Sequence, residues 1–490
     1  MPKDLFVESA AAIAASLATE DPDYPLFHLA PPVGRLNDPN GLVVHRGAYH
    51  AFYQFSPFHP RRKLVFWGHA SSTDLTHWHD HGPAIAPDTW FDRDGVYSGN
   101  AVIAEDRVLL HYTGNVRHPD GGRDTYQCVA SSTDLVHFTK DPGNPVIPAP
   151  PPGYTAHVRD PQVWRDDDGG YRMCLGAQRA DETGCSLLYR SDDLHEWLFE
   201  GELTFPDAGG RYDKFGYMWE CPSLIRVPDE ATGAPHDVLL FCPQGIEPLG
   251  EGFENVFPCG YVIGRLVGTQ LRATGDFVEL DRGFEFYAPQ TLARAADDPG
   301  PTVLMAWLGN AGEDEQPSME HGWVHAMSLP RELLVRDGRL VQRPQLEGGS
   351  RSRLAVQGQR VVDGGVRLGE ADGVRSFVLH LDLDLSAAQG WSLRLGSADC
   401  YVDLTAVGRR LVVDRSTTRY PHGGSRVVTL PETVSLEIEL VHDRSVTEVF
   451  FDRGALSFSL RSYLTGPDFG VRLGAQGAVT VLDADLTRFD

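Results

Sequence analysis

The chain has 490 residues, of which 41% are hydrophobic and 23% charged, as in an ordinary globular protein long enough for two domains. Its 68 acidic and 43 basic residues give a formal net charge of −25, which argues against nucleic acid or an anionic membrane as a partner. The 7 cysteines are scattered and include no CxxC pair, so neither a disulfide framework nor a zinc site is indicated, and a cytoplasmic protein is expected.

The N-terminal segment, residues 1–21, is rich in alanine. Asp4 and Glu8 interrupt the part in which a secretion signal would carry positive charge. We therefore predict a helical extension here rather than a signal peptide. No run of the sequence reaches the roughly 18 apolar residues needed to cross a bilayer, so no membrane partner is expected.

The first distinctive motif is NDPNG, from Asn37 to Gly41. All five residues are turn formers, yet the alternating segment YHAFYQF follows soon after. Asp38 lies in the middle of this stiff turn. Either it only caps the turn, or the turn holds its carboxylate in place for chemistry.

A repeat runs through the first two-thirds of the chain. Asp-Leu pairs begin at Asp74, Asp134 and Asp193, spaced by 60 and then 59 residues, and each follows an apolar strand and a polar turn. Short aromatic and β-branched segments lie between the repeats and end in Gly, Pro or Asn. Self-similarity at this period predicts a β-propeller with about five blades.

The composition changes after residue 345. In the C-terminal part, apolar residues alternate with polar ones, for example at Phe377, Leu379 and Leu381. A period of two is typical of half-buried antiparallel strands, and a segment of this length predicts a β-sandwich. The sequence therefore predicts an all-β protein in four parts: a helical extension (1–21), a five-bladed β-propeller (22–345), a linker (346–355) and a β-sandwich (356–490).

Three acids lie in rigid settings in different predicted blades. Asp38 and Asp160 each precede a proline, which restricts their backbones, and Glu220 lies between Trp219 and Cys221. The inner strands of a propeller surround one channel, so these acids can meet there. Glycoside hydrolysis needs one ionised carboxylate and one of raised pKa. Local context favours Asp38 as nucleophile and Glu220 as acid, and the alternative is that each acid merely caps a turn.

Eight motifs then occur in a recognisable order: NDPNG, WGHA, YSGNAV, RDPQVW, LGAQ, WECPSL, FYAPQT and GWVHAMSLPREL. In these motifs the sequence resembles glycoside hydrolase family 32, the invertase, fructanase and sucrose-6-phosphate hydrolase group. The resemblance covers about residues 25–345 and continues more weakly into the C-terminal part. It implies a five-bladed propeller with a C-terminal sandwich. We expect no cofactor and no bound metal.

The resemblance also implies roles for individual residues. Asp38 would form a covalent fructosyl-enzyme, Glu220 would be the general acid/base, and Asp160 would hold fructose hydroxyls and stabilise the transition state. The positions that match the family's fructose pocket are Asn37, Gln54, Trp67, Tyr97, Ser98 and Arg159.

The chain departs from the family pattern at two positions where relatives usually carry Trp. Arg35 lies two residues before Asn37, and Arg62 lies between Gln54 and Trp67. A guanidinium group offers a fork of donors suited to phosphate. We therefore include Arg62 among the substrate-binding residues, with preference for sucrose 6-phosphate as the hypothesis. The alternative is that the two arginines reflect sequence drift at the rim of the pocket, or that they form salt bridges with acids there.

The expected function is a retaining hydrolase that releases terminal β-D-fructofuranosyl residues from sucrose and short fructo-oligosaccharides by double displacement. Sucrose-6-phosphate hydrolase, fructosyltransferase and fructan exohydrolase remain alternatives on the same scaffold. A binding module without turnover is a further alternative, which loss of activity in Glu220→Gln would exclude. The expected partner is a small carbohydrate, and the sandwich leaves a homo-oligomer open.

Overall fold

The computed structural model describes residues 4–248, 251–295, 298 and 300–489. Near its start lies α1 (Leu5–Ala14), whose first turn is capped by Asp4, because the Asp4 carboxylate accepts from the backbone N–H of Phe6 at 3.0 Å. A short 3₁₀ turn, Ala18–Glu20, follows. Over the described residues, no helix combines the length and the apolar character needed to cross a membrane.

Within the described residues, five sheets form the blades of a β-propeller. The first blade contains β1 (Gly34–His45), β2 (Ala48–Ser56), β3 (Phe66–Ser72) and β4 (His79–Ile85). The second contains β5 (Val96–Ala104), β6 (Arg107–Arg117), β7 (Arg123–Ser132) and β8 (Thr139–Lys140). The third contains β9 (Tyr154–Arg165), β10 (Tyr171–Arg179), β11 (Gly184–Ser191) and β12 (Leu198–Glu202).

The fourth blade contains β13 (Met218–Pro228), β14 (Pro235–Gln244), β15 (Gly260–Val267), β16 (Gln270–Ala273) and β17 (Val278–Glu279). The fifth begins with β18 (Tyr287–Thr291) and β19 (Val303–Leu308). The chain then returns to the first blade as β20 (Trp323–Val324). It completes the fifth blade with β21 (Ala326–Met327), β22 (Arg331–Arg336) and β23 (Arg339–Pro344).

The ring is closed by β20, which pairs in parallel with β1. Gly34 lies opposite Trp323, and Arg35 lies opposite Val324. Along the chain, β20 lies between β19 and β21 of the fifth blade, so this pairing connects the first blade to the fifth. The closure places the strand that carries Asp38 next to strands from both ends of the propeller.

The sequence repeat corresponds to one recurring turn. In each copy a Ser hydroxyl accepts from the backbone N–H of the Asp two residues later, at 3.2 Å for Ser72, Ser132 and Ser191. The Leu that follows the Asp has positive φ in every copy: Leu75, Leu135 and Leu194. The same turn thus ends the third strand of three successive blades, which confirms the propeller interpretation.

The C-terminal part is a β-sandwich. Its strands are β24 (Ser350–Arg353), β25 (Arg360–Leu368), β26 (Ser376–Gly396), β27 (Tyr401–Val407), β28 (Arg410–Thr417), β29 (Ser425–Thr429), β30 (Ser435–Asp443), β31 (Val446–Phe451), β32 (Leu456–Arg461) and β33 (Gly470–Arg488). The long strands β26 and β33 pair with each other, while the first half of β26 pairs with β30 and its second half with β27. The alternating residues Phe377, Leu379 and Leu381 are fully buried. The predicted fold class is therefore confirmed.

One element differs from the predicted division of the chain. The segment 346–355 was predicted as a linker from its composition, but β24 lies inside it and pairs with β33 from Ser350 to Arg353. Pairing satisfies the backbone groups of a segment whose side chains are exposed. The remaining domain boundaries stay predictions.

A buried ionic cluster joins the sandwich to the propeller. Arg331 of β22 is fully buried and donates to Glu448 of β31 at 2.6 Å and to Asp281 at 3.1 Å. His28 contacts Asp443 of β30 at 2.9 Å. Buried charges persist only when they are paired and hydrogen-bonded, so this contact requires both domains to be in place.

Candidate active site

The inner strand of every blade is irregular at the level of the three predicted acids. The pairing shifts register between Leu36 and Pro39, Tyr97 and Gly99, Arg159 and Gln162, Glu220 and Ser223, and Tyr287 and Gln290. A bulge frees a residue from the ladder and re-aims its side chain. The residues at these five irregularities include Asp38, Ser98, Asp160, Glu220 and Ala288, and we call them the bulge layer.

Asp38 of β1 is held by three donors. Ser98 of β5 donates to Asp38 Oδ2 at 2.5 Å, Gln54 Nε2 of β2 donates to the same oxygen at 3.0 Å, and Asn37 Nδ2 donates to Oδ1 at 3.3 Å. Asn37 also donates to Gln54 Oε1 at 2.7 Å. Because these donors come from two blades, the carboxylate has little rotational freedom.

Glu220 of β13 is held as firmly by different groups. Arg159 donates from Nε and Nη2 to Oε1 at 3.2 and 2.7 Å. Gln244 of β14 and the hydroxyl of Tyr287 donate to Oε2 at 2.5 and 2.6 Å. The two oxygens of Glu220 are therefore chemically distinct: one faces a cation and the other faces neutral donors.

Asp160, the third acid, is the middle residue of RDP in β9. Its φ of +63° places it in the left-handed region, which few non-glycine residues adopt. Its carboxylate accepts from the backbone N–H of Cys221 at 3.0 Å. The thiol of Cys221 lies 3.7 Å from Asp160 Oδ2 and 3.9 Å from Asp38 Oδ2. The structure thus brings all three predicted acids into one site.

Burial and charge separate the acids electrostatically. Burial raises the pKa of Asp160 to about 7, against the opposing charge of Arg159. Burial also raises the pKa of Asp38, although hydrogen bonds from Ser98 and Asn37 oppose the rise. Burial alone would raise the pKa of Glu220, but the charge of Arg159 and hydrogen bonds from Tyr287 and Arg159 hold it below its usual range.

This order differs from the expectation that Glu220 is the group of raised pKa. The expectation rested on the apolar neighbours of Glu220 in sequence, whereas in space its Oε1 accepts from the guanidinium of Arg159 at 2.7 Å. The raised pKa of Asp160 and the lowered pKa of Glu220 therefore favour a proton on Asp160 over one on Glu220 when no substrate is bound.

The other predicted pocket residues divide into two groups. Asn37, Gln54, Ser98 and Arg159 contact the acids directly. Trp67 is fully buried, and its indole N–H donates to the carbonyl of Tyr97 at 3.1 Å. Trp67 therefore supports the wall behind the site and presents no surface to a ligand in this conformation. Tyr97 is partly exposed, and its hydroxyl accepts from Arg117 at 3.3 Å.

The two arginines that replace tryptophan lie in different places. Arg62 is half-exposed, packs over the Phe58 ring and points to Glu8 of α1, with Nη2 3.4 Å from the carboxylate. Arg35, by contrast, donates to Asn37 Oδ1 at 2.9 Å and so reaches the edge of the site. The prediction that Arg62 contacts substrate differs from this geometry, because the segment around it packs against α1.

Arg35 belongs to a small charged group. Its Nε donates to Asp314 Oδ1 at 2.9 Å, and its guanidinium carbon lies 5.1 Å from the centroid of the Trp307 ring. Lys63 lies 4.0 Å from the other oxygen of Asp314, with its side chain exposed. Two cations therefore share one carboxylate beside the pocket.

Sequence reasoning did not single out three of the contacting groups: Tyr287, Gln244 and Cys221. Tyr287 and Gln244 each stand at one end of a strand, in FYAPQT and FCPQG. A polar side chain at a strand end, with a Pro one or two residues away, was the available signal. This signal could not identify Glu220 as their partner, because Glu220 lies 67 residues from Tyr287 and 24 residues from Gln244 in the sequence.

Amide side chains connect neighbouring blades at positions two residues after Ser98, Asp160 and Ala288 of the inner strands. Asn100 bonds both backbone groups of Val163, at 2.9 and 2.8 Å, and Gln162 bonds both backbone groups of Leu224, at 3.4 and 3.1 Å. Gln290 donates to the carbonyl of Gly99 at 2.6 Å. We call Asn100, Gln162 and Gln290 the amide layer. It lies directly behind the bulge layer.

The donor set of the site suits acid–base chemistry. In the part of the chain that the structure describes, no three His, Cys, Asp or Glu side chains are grouped so as to hold a metal ion. Three carboxylates, one arginine and several neutral donors can instead provide a nucleophile, a proton donor and contacts to hydroxyl groups.

Comparison with known proteins gives consistent matches. The family model described as the N-terminal domain of glycosyl hydrolases family 32 matches residues 28–344. A sucrose-6-phosphate hydrolase of Bacillus subtilis is 44% identical over 331 residues, which cover 67% of this chain and 66% of that protein. A raffinose invertase of Escherichia coli is 39% identical over 448 residues, which cover 90% of this chain and 89% of that protein.

Solved structures agree in fold. The structure of a mutant family 32 beta-fructofuranosidase of Bombyx mori in complex with sucrose superposes with a TM-score of 0.80 at 30% identity. The superposition covers 100% of this chain and 99% of that one. The similarity therefore includes both the propeller and the sandwich.

Proposed function

The chain belongs to glycoside hydrolase family 32 and is a glycoside hydrolase, and we propose that it releases terminal β-D-fructofuranosyl residues from sucrose and short fructo-oligosaccharides. The observation that carries this proposal is the convergence of Asp38, Asp160 and Glu220 in one pocket, each held by its own donors. Relatives named as invertase and beta-fructofuranosidase support the same substrate class.

In the first step, Asp38 Oδ attacks the anomeric carbon of the fructosyl unit. The bond from that carbon to the glycosidic oxygen breaks, and Glu220 gives its proton to the departing oxygen. A covalent ester between the sugar and Asp38 results. The donors around Asp38 hold its carboxylate in one orientation for this attack.

In the second step, Glu220 as carboxylate removes a proton from water. The water oxygen attacks the same carbon from the opposite side, and the ester bond to Asp38 breaks. Fructose leaves with retained configuration. Arg159 favours the ionised form of Glu220 that this step needs.

Taking the proton from water leaves Glu220 protonated again, so the cycle consumes no proton. In the free site this one proton is held elsewhere, and substrate binding must return it to Glu220. Asp160 holds a proton up to a pKa of about 7 and lies in the same site, so it is the source from which we derive that proton. Once ionised, Asp160 is a strong acceptor for fructose hydroxyls and an opposite charge for the oxocarbenium-like transition state.

The test is trapping of the intermediate. Glu220→Gln, incubated with sucrose and quenched rapidly, should gain the mass of one fructosyl unit on the peptide that contains Asp38. Asp38→Ala should gain none and should show no turnover. Wild-type product analysis at high sucrose separates hydrolysis from transfer to a second sugar. A mass gain on any other residue would refute the assignment of the nucleophile.

A second candidate, sucrose 6-phosphate as preferred substrate, is favoured by one observation. Arg35 and Lys63 place two cations beside the pocket, and Asp314 balances only one of them. Several relatives are named as sucrose-6-phosphate hydrolases. A phosphorylated disaccharide is an intracellular substrate, so this candidate goes with a cytoplasmic location. The homo-oligomer stays a prediction.

A further inference from the structure

Behind the amide layer, on the side away from the acids, lies a cavity of about 1,020 Å³. Asn100, Gln162 and Gln290 line its floor, and the far ends of β5, β9, β13 and β18 form its inner wall. We call it the rear cavity. Its volume is at the upper end of the roughly 300–1,000 Å³ of pockets that hold small molecules.

The floor carries a polar atom that is buried and unpaired within the described part of the chain. Gln290 is 7% exposed, and its Oε1 accepts no hydrogen bond there. Ser223 is 3% exposed and lines the same cavity with its hydroxyl group. A buried polar atom without a partner costs about 1–3 kcal/mol, so the floor favours a guest that donates and accepts hydrogen bonds.

One wall is aromatic. Trp164 of β9 lines the cavity and is partly exposed. The guanidinium carbon of Arg172 lies 5.7 Å from its ring centroid, and Arg172 is fixed by Glu200 through contacts of 3.0 and 2.8 Å. The indole is therefore a preorganised apolar surface beside a polar floor.

The charges around the rear cavity cancel. Among the described residues, five arginines and five acids line it: Arg165, Arg172, Arg190, Arg226, Arg294, Glu105, Asp166, Asp167, Glu200 and Asp237. Several of these are paired with each other, such as Arg226 with Asp167 at 2.8 and 2.7 Å. A lining without net charge selects neither an anion nor a cation. Planar polar groups, an aromatic face and an uncharged floor together suit a hydroxyl-rich neutral molecule.

From these features we propose that the rear cavity is a second binding site, which takes a short neutral saccharide and takes no part in hydrolysis. Trp164 packs against a sugar ring, and Ser223 and Gln290 bond its hydroxyls. This site goes beyond the proposed function and does not depend on it, because its described lining includes none of the side chains that donate to Asp38 or Glu220.

The test uses the indole as reporter. The full chain with Asp38→Ala, which leaves sugars intact, is labelled with 5-fluorotryptophan and titrated with sucrose or 1-kestose while fluorine NMR is recorded. Trp164→Phe assigns the reporter signal. We expect that signal to shift saturably, while the signal of the exposed Trp90, which is outside the cavity, stays in place. Ser223→Ala should weaken the binding at least fivefold and leave kcat on sucrose unchanged in the otherwise wild-type chain.

A double variant separates the two sites. With Arg159→Ala added to Asp38→Ala, the catalytic pocket is impaired and the rear cavity is intact, so the Trp164 shift should keep its midpoint. Loss of the shift in the double variant would show that Trp164 only senses the catalytic pocket and would overturn the proposal. No shift with either sugar, or a shift with inorganic phosphate instead, would overturn it as well.

Discussion

Arg159 donates two hydrogen bonds to one oxygen of Glu220, at 3.2 and 2.7 Å. The pair joins the third blade to the fourth and decides the protonation of the site. Because the guanidinium favours the carboxylate form, Glu220 is ionised in the free protein while Asp160 keeps a proton to about pH 7. The acid needed for the first step and the group that stores the proton are thus different residues.

The pH dependence of kcat/KM should therefore be bell-shaped. Activity falls on the acid side as Asp38 takes up a proton, and its raised pKa moves that limb above the usual carboxyl range. Activity falls on the basic side as the site loses its last proton, near the pKa of about 7 of Asp160. Initial rates on sucrose from about pH 4 to 9 measure both limbs.

Arg159→Gln tests the cause of the basic limb. Removing the charge raises the pKa of Glu220, so the basic limb of kcat/KM should move to higher pH even though kcat itself falls. Arg117→Gln, which changes a guanidinium that contacts Tyr97 instead, is the matched control and should leave the limb in place. An unmoved limb in Arg159→Gln would contradict the role given to the ion pair.

Asp160→Asn should abolish activity and yet stabilise the fold at neutral pH. The folded-state pKa of about 7 is above the ordinary 3.8, so the folded protein binds the extra proton and its stability falls as pH rises from about 4 to 7. The asparagine side chain of the variant does not titrate, so it contributes no such pH dependence to the stability. The melting temperature of the variant relative to wild type should rise across this window, by about 1–3 °C. A constant difference between about pH 4.5 and 7.5 would show that Asp160 is not protonated in the fold.

Arg35→Leu should change substrate preference, and Arg62→Leu should not. Arg35 reaches Asn37, whereas Arg62 points to α1. A charge-assisted hydrogen bond contributes about 1.5–3 kcal/mol, so the ratio of kcat/KM for sucrose 6-phosphate over sucrose should fall about 10- to 100-fold in Arg35→Leu. Equal ratios in wild type and both variants would exclude phosphate recognition by this group.

Gln162→Leu should reduce kcat more than it changes KM. Gln162 connects β9, which carries Asp160, to β13, which carries Glu220, through both backbone groups of Leu224. A displacement of about 1 Å in a reacting group costs about 100-fold, so we expect kcat on sucrose to fall at least 10-fold. Gln342→Leu removes a buried amide near the sandwich and should lower the melting temperature without changing kcat. Equal kcat values in the two variants would show that Gln162 only stabilises the fold and does not position the acids.

The architecture and the identity of the acids were accessible from sequence for physical reasons. The Asp-Leu turn recurs because each blade must turn at the same place, and NDP and RDP are stiff because proline restricts the preceding residue. These are local constraints, and local constraints can be read from neighbours in the chain.

Contacts between blades could not be read in this way. The pKa order depends on Arg159 and Glu220, which are 61 residues apart, and the position of Arg62 depends on Glu8 of a distant helix. Trp67 belongs to a matching motif but is buried behind the pocket, which only packing determines. The roles of the three acids and of the pocket residues stay predictions until the variants are measured.

The parallel pairing of β20 with β1 has a consequence for the order of synthesis. The strand that carries Asp38 leaves the ribosome early, but its partner strand is translated only when Trp323 and Val324 are reached. The backbone N–H groups of Leu26, Phe27 and His28 donate to the carboxylate of Asp443, which is translated later still. A nascent chain therefore lacks a complete first blade until Val324 has been made, and the segment that precedes this blade lacks its anchor until Asp443 has been made.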